Sequence, residues 1–120
     1  MRPHENLDVW VKAVDFVVSV YRVTEAFPKE EKFGLTSQVR RASVSIPANI
    51  AEGAARTSSK EFMHFLSNAQ GSASEVETEL LIARRLSFLE EGEYAKLRLS
   101  LDEIGRMLTG LRKHLKRRSD

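Results

Sequence analysis

Apolar residues recur along this chain in alternating steps of three and four, and the pattern restarts four times. Between residues 8 and 27, Val9, Ala13, Phe16, Val20, Val23 and Phe27 fall on one helix face. Trp10, Val14, Val17 and Tyr21 form a second stripe beside them. An antiparallel bundle usually needs one such stripe per helix, so the excess predicts burial against another subunit. The alternatives are a covering loop and a central position in the fold. Pro28 and Gly34 then interrupt the pattern. It resumes near Leu35 or Thr36, with Leu35, Val39, Ala42, Ile46 and Ile50 facing inward.

The third segment opens at Ser58, three residues before Glu61, a spacing in which each side chain satisfies the other's helix-end amide. Phe62, Leu66, Ala69, Ala73, Val76, Leu80 and Ala83 carry one face to about residue 87. Its middle is rich in small residues, Gly71, Ser72, Ala73 and Ser74, and the glycine alone costs about 1 kcal/mol of helix propensity. Close approach of a neighbouring helix would compensate. The fourth segment is the most regular: Tyr94, Leu97, Leu101, Ile104, Leu108, Leu111 and Leu115. Glu90, Glu91 and Glu93 sit at its start and basic residues at its end, matching the helix dipole. Four such segments with short connections predict an all-α, antiparallel up-down-up-down four-helix bundle, a single domain over residues 1–120.

The stretch VSIPANIAEGAAR, 44–56, is the least helix-like piece of the second segment. Pro47 lacks a backbone donor and crowds the carbonyl of Ser43, so the helix should kink or break between residues 43 and 46. Asn49 shares a strip with Ala42, Ile46 and Gly53, which turns its amide toward a packed surface where it needs partners. Gly53 is expected to end the helix or mark a close contact.

Composition narrows the class. With 120 residues, 42% hydrophobic and 30% charged, the chain reads as one ordinary globular domain. The absence of cysteine excludes disulfide frameworks, thiolate zinc sites and cysteine nucleophiles. No apolar run is long enough to span a bilayer, and charges at Asp8, Lys12 and Asp15 interrupt any signal-peptide core. A cytoplasmic protein without a membrane partner is the expectation.

Candidate chemistry is sparse. His4, His64 and His114 are not spaced to share a metal, and no Glu-x-x-His pair is present. Gly53 and Gly71 are isolated, so EGAARTSSK lacks the spacing of a phosphate loop. These features predict no catalysis, no metal and no cofactor.

Charge is more informative. The formal net charge is only +2, but it is unevenly spread. Arg112, Lys113, Lys116, Arg117 and Arg118 form a basic tail, whereas residues 61–103 hold nine carboxylates against Arg84, Arg85, Lys96 and Arg98. Basic side chains on helices bind phosphate backbones without reading sequence. Candidate RNA or DNA contacts are therefore the five tail residues, then Arg84, Arg85, Arg56 and Lys60. The plain alternative for the tail is dipole matching at a helix end. Arg40 and Arg41 read as structural, because folding the second and third segments back on each other brings Arg41 level with Glu75. An ion pair between them is expected.

The motif residues carry a resemblance. Gln38, Arg41, Ser45, Ile46, Asn49, Ile50, Ala51, Glu52 and Gly53, followed by Gly71, Ser72 and Glu75, resemble the paired signature of the 23S rRNA intervening-sequence protein family of bacteria. The opening helix is similar as well, so the likeness covers nearly the whole chain. The resemblance implies a four-helix bundle that assembles into a ring, typically of five copies, and brings no catalytic residues. Members are encoded within insertions of rRNA genes or elsewhere in bacterial genomes. Related accessory proteins of diversity-generating retroelements bind nucleic acid and a reverse transcriptase. Against the family pattern, NAQGS is unusually polar, which places Asn68 and Gln70 toward solvent or a subunit contact.

The combined expectation is a homo-oligomer, a pentamer by the resemblance, that binds RNA or DNA through repeated basic residues. Arg41, Pro47, Asn49, Gly53, Gly71, Ser72 and Glu75 serve as its structural motif. The alternative is a module that holds a protein partner such as a polymerase, with the basic groups serving solubility.

Overall fold

A computed structural model describes residues 2–119, with the side chain of residue 119 excluded. Four long helices, α1 Asp8–Thr24, α2 Leu35–Ala54, α3 Ser59–Arg85 and α4 Glu91–Ser119, are accompanied by two short 3₁₀ turns, Pro3–Asn6 before α1 and Lys29–Glu31 between α1 and α2. No strand occurs among the described residues. Each helix contacts its sequence neighbours, α1 also contacts α4, and the diagonal pairs do not touch. This is the square arrangement of an up-down-up-down bundle, 48 Å long and about half as wide.

Polar contacts between helices set the register. Lys12 Nζ meets Glu103 Oε2 at 2.9 Å between α1 and α4, and Arg98 meets Glu77 at 3.2 Å between α4 and α3. Arg40 on α2 donates from Nε to Thr24 Oγ1 (2.8 Å) and from Nη2 to the Tyr21 carbonyl (3.3 Å), with its guanidinium over the Tyr21 ring. It thereby occupies acceptors at the C-terminal end of α1, which the helix itself leaves unpaired. The apolar stripes meet inside this frame. Val20, Ile46, Ile50, Leu66, Val76, Ile104 and Leu108 are fully buried.

The helix ends have local causes. Ser58 Oγ accepts from the Glu61 amide at 3.1 Å, as the capping signal predicts. The Glu61 carboxylate accepts from the Ser58 hydroxyl instead of reaching the Ser58 backbone. At the start of α2 the first amide, Leu35 N–H, is taken by Glu31 Oε1 at 3.0 Å. The end of α3 uses Ser87 with φ 64°, and Phe88 N–H donates back to the Ala83 carbonyl at 2.9 Å.

Three sequence expectations change here. First, of the kink or break expected at Pro47 the break does not occur: α2 continues through the buried proline as one helix. Second, among the described residues no ion pair joins Arg41 to Glu75. Arg41 is exposed, and a hydrogen bond between the Ser45 and Ser72 hydroxyls (2.9 Å) links α2 to α3 at this position instead. That bond sets Arg41 level with residue 76, one past Glu75, and nearness in height did not bring the charges together. Third, the close approach of helices falls at Gly53, not Gly71. A Cβ on Gly53 would lie 2.8 Å from Phe65 Cβ, 2.9 Å from Phe62 Cδ1 and 3.2 Å from the Phe62 carbonyl oxygen. A Cβ on Gly71 would meet no described atom within 4 Å.

Asn49 finds the partners it was expected to need. Its Nδ2 donates to the Ser45 carbonyl (2.8 Å) and to Ser45 Oγ (2.9 Å), and Ser45 Oγ is the atom bound to Ser72. The amide thus holds Ser45 in position to bridge the two helices. Asn49→Ala is expected to cost about 1 kcal/mol, the usual worth of such a bond, read as a lower urea midpoint. An unchanged midpoint would show that the bridge carries no stability.

Candidate nucleic-acid interface

Antiparallel topology decides which basic residues meet. The end of α2, the start of α3 and the end of α4 share one pole of the bundle. Arg56 and Lys60, distant from the tail in sequence, therefore come to the same pole as Arg112, Lys113, Lys116, Arg117 and Arg118. Arg84 and Arg85, at the end of α3, lie at the opposite pole. The nine candidates thus divide into seven and two.

Of the two at the far pole, Arg84 differs from the rest in its partners. Arg84 Nη1 contacts Glu91 Oε2 at 2.7 Å and its guanidinium lies over the Tyr94 ring, 5.1 Å from the centroid. It staples the α3–α4 connection and has little left for a phosphate. Arg85 is exposed.

At the basic pole, exposure is the rule. Lys60, Lys113, Arg117 and Arg118 are exposed and have no ion-pair partner among the described residues. Arg56 reaches Glu52 only at 3.8 Å. Arg112 is the anchored member: its Nη1 donates to Gln70 Oε1, whose Nε2 in turn donates to Thr109 Oγ1 at 2.9 Å. Gln70 therefore faces α4 rather than solvent or a subunit contact, and Asn68 is exposed. The relay from Thr109 through Gln70 to Arg112 fixes the last turns of α4 against α3. Beside it a groove of ≈ 210 Å³ is lined by Met63, Thr109, Arg112, Lys113 and Lys116.

A second surface is apolar. Val11, Val18, Tyr21 and Val44 are each more than 40% exposed. With half-buried Trp10, Val14 and Val17 they form a strip along α1 and the adjoining side of α2. The N-terminal turn covers part of it, His4 standing edge-on to Trp10 at 4.8 Å between centroids.

One carboxylate escapes the sequence reading. Glu79 is 6% exposed and its Oε1 has no hydrogen-bond partner among the described residues. Burial, then the charge of Glu75 and a hydrogen bond that protonated Glu79 donates to it, push its pKa from 4.5 up to about 7. The signal was available: residue 79 follows Ser72 by two turns, on the strip of α3 that faces α2. Phe65 and Thr109 were likewise passed over, because their roles depend on what the neighbouring helix presents.

Among the described residues no group of three or more His, Cys, Asp or Glu is placed to hold a metal. No helix of the described residues is long and apolar enough to cross a membrane.

These features define a class: a small four-helix bundle with one basic pole and one uncovered apolar face. Residues 5–110 match the family described as 23S rRNA-intervening sequence protein, and the chain belongs to that family. A crystal structure from Bacteroides thetaiotaomicron VPI-5482, of a protein with unknown function from the S23 ribosomal protein family, is similar at 26% identity. The similarity covers 88% of this chain and 98% of that one, with a TM-score of 0.79. No curated protein matches the chain.

Proposed function

We propose that this protein is a non-enzymatic, homo-oligomeric nucleic-acid-binding bundle, whose basic pole contacts the phosphate backbone of RNA or DNA. The observation that carries the reading is the gathering of Arg56, Lys60 and the five tail cations at one pole, where Lys60, Lys113, Arg117 and Arg118 are exposed with no ion-pair partner among the described residues. For these four, a structural role would have brought carboxylates within reach, as it does for Arg84.

The apolar strip on α1 and α2 supports self-association. Its large side chains form a continuous patch of the kind that monomers seldom leave in water. The family likeness favours five copies in a ring. Repetition would multiply weak phosphate contacts into avidity that one copy lacks. The family description associates such proteins with the intervening sequence of 23S rRNA, which makes structured RNA a natural first ligand to try.

The test is binding to unrelated RNA and DNA across a salt series. Each neutralised phosphate contributes a log–log slope of about −0.9 on duplex and about −0.7 on single strands. Replacing Arg112, Lys113, Lys116, Arg117 and Arg118 with glutamine is expected to flatten the slope and to weaken binding at low salt by more than about tenfold. Absence of binding by the parent protein at low salt would overturn the proposal. It would then favour a role in holding a protein partner through the apolar strip.

A further inference from the structure

The connection between α2 and α3 holds an arrangement that phosphate binding alone does not require. The Arg56 guanidinium lies over the Phe65 ring, 4.9 Å from its centroid. His64 stands edge-on to the same ring at 5.6 Å. Arg56, Lys60, Glu61, His64 and Phe65 line a groove of ≈ 420 Å³.

Sequence and packing position this stack. Gly53 lets α3 approach α2 so closely that Phe65 Cβ occupies the space a side chain at 53 would need. The Phe65 ring is thereby fixed at the edge of the bundle, under the connection. Arg56 rests on it with its side chain 43% exposed and only a long 3.8 Å approach to Glu52. The ring lies beneath one side of the guanidinium, and the cation keeps exposed surface.

Two features separate this groove from a simple anion site. Glu61 lines it, and a carboxylate repels a phosphate but accepts a hydrogen bond from a base amino group. The groove also combines a flat cation with aromatic rings, the pair of surfaces on which unstacked bases lie. Bases inside a duplex are stacked on one another and present only their edges and backbone. An unpaired base presents its face.

We infer that this groove receives one unpaired nucleotide, its base stacked on the Arg56 guanidinium above Phe65 and its phosphate near Lys60. The inference rests on the nucleic-acid reading above and specifies the ligand as single-stranded or looped, not fully paired. Arg56 is then a stacking residue as well as a charge, whereas the tail supplies charge alone.

The experiment compares full-length parent, Arg56→Lys, Phe65→Leu and Arg56→Gln proteins by fluorescence anisotropy. The probes are an unstructured RNA strand, the DNA strand of the same sequence, and the duplex of each, over a salt series. The parent is expected to prefer single strands over duplexes. Arg56→Lys keeps the charge but loses the plane, and is expected to weaken single-strand binding about tenfold. Its salt slopes should be retained with the charge, and its loss on duplex should be several-fold smaller than on single strands. Phe65→Leu should do the same while retaining the Cβ that packs at Gly53. If that variant is unstable, Arg56→Lys, on an exposed side chain, carries the test alone. Arg56→Gln should in addition reduce the salt slope by about one. Equal loss on duplex and single strand, or no loss with Arg56→Lys, would overturn the stacking site while leaving the basic pole in place. Failure of the parent to bind any probe at low salt would overturn both readings. The ratio of RNA to DNA affinity tells whether the sugar is read.

Discussion

Gly53→Ala is expected to unfold at a lower urea concentration than the parent, and Gly71→Ala at a higher one. Both replace a helical glycine, so both gain up to about 1 kcal/mol of helix propensity. At 53 the new methyl would sit 2.8 Å from Phe65 Cβ and 3.2 Å from the Phe62 carbonyl oxygen. Neither atom is the tip of a flexible side chain, so α2 and α3 must part. Overpacking of this kind costs about 1–3 kcal/mol, and it acts along the two helices joined by the Ser45–Ser72 bond. The net loss should be about 1–2 kcal/mol. At 71 the methyl meets no described atom, and the propensity gain should appear almost whole. Shifts of the same sign in both variants would refute this account of the two glycines. A loss of assembly in Gly71→Ala, with the fold intact, would place a neighbouring copy against α3.

The second large effect concerns pH. Glu79→Gln should leave stability little changed in acid and raise it above neutrality. The folded protein holds the Glu79 proton up to about pH 7, chiefly through burial and then through the charge of Glu75, whereas the ordinary value is 4.5. Between those two values the folded state binds more protons than the unfolded state, so stability falls as pH rises through the window. The full difference is present below about 4.5 and lost above about 7. At about 1.4 kcal/mol per pKa unit, the rise from 4.5 to about 7 corresponds to a loss of roughly 3–4 kcal/mol. Glutamine keeps the shape and never ionises. The urea midpoints of parent and variant should therefore diverge between pH 5 and 8, the variant being the more stable at pH 8. Parallel profiles would mean that Glu79 ionises in the fold at no cost.

The contrast between these residues shows where sequence reading succeeds. The number of helices, their antiparallel order and most of the buried positions follow from spacing, because a stripe of apolar residues has to face something. Asn49 was identified for the same reason, as an amide on a packed face must find partners. Gly53 and Gly71 are chemically identical, and the distance to the next helix is set by tertiary packing that no local pattern records. Arg40 and Arg41 are similar in this respect. One turn of 100° places Arg40 against α1 and leaves Arg41 exposed, so that the role expected of the pair fell to the other member.

The candidate interface was legible as composition and not as place. Arg56, Lys60 and the tail are far apart in sequence, and only the fold gathers them. Arg84 belonged to the same list of basic residues, yet it lies across the molecule, bound to Glu91 across the connection between α3 and α4. Phe65 looked like one more apolar residue of α3 until Arg56 was found resting on it.

The separation of the two poles also changes what the net charge means. Around the basic pole, Arg2, Arg56, Lys60 and the five tail cations face Glu5, Asp8, Glu52 and Glu61, a clear local excess. At the far pole Glu25, Glu30, Glu31, Glu90, Glu91 and Glu93 are offset by Arg22, Lys29, Lys32, Arg84, Arg85 and Lys96. The bundle is 48 Å long, several times the screening length of about 8 Å at physiological salt. An approaching polyanion therefore senses one pole at a time. A chain whose formal charge is only +2 thus presents a strong local cation at one end, and the field there orients any polyanion end-on before contact forms.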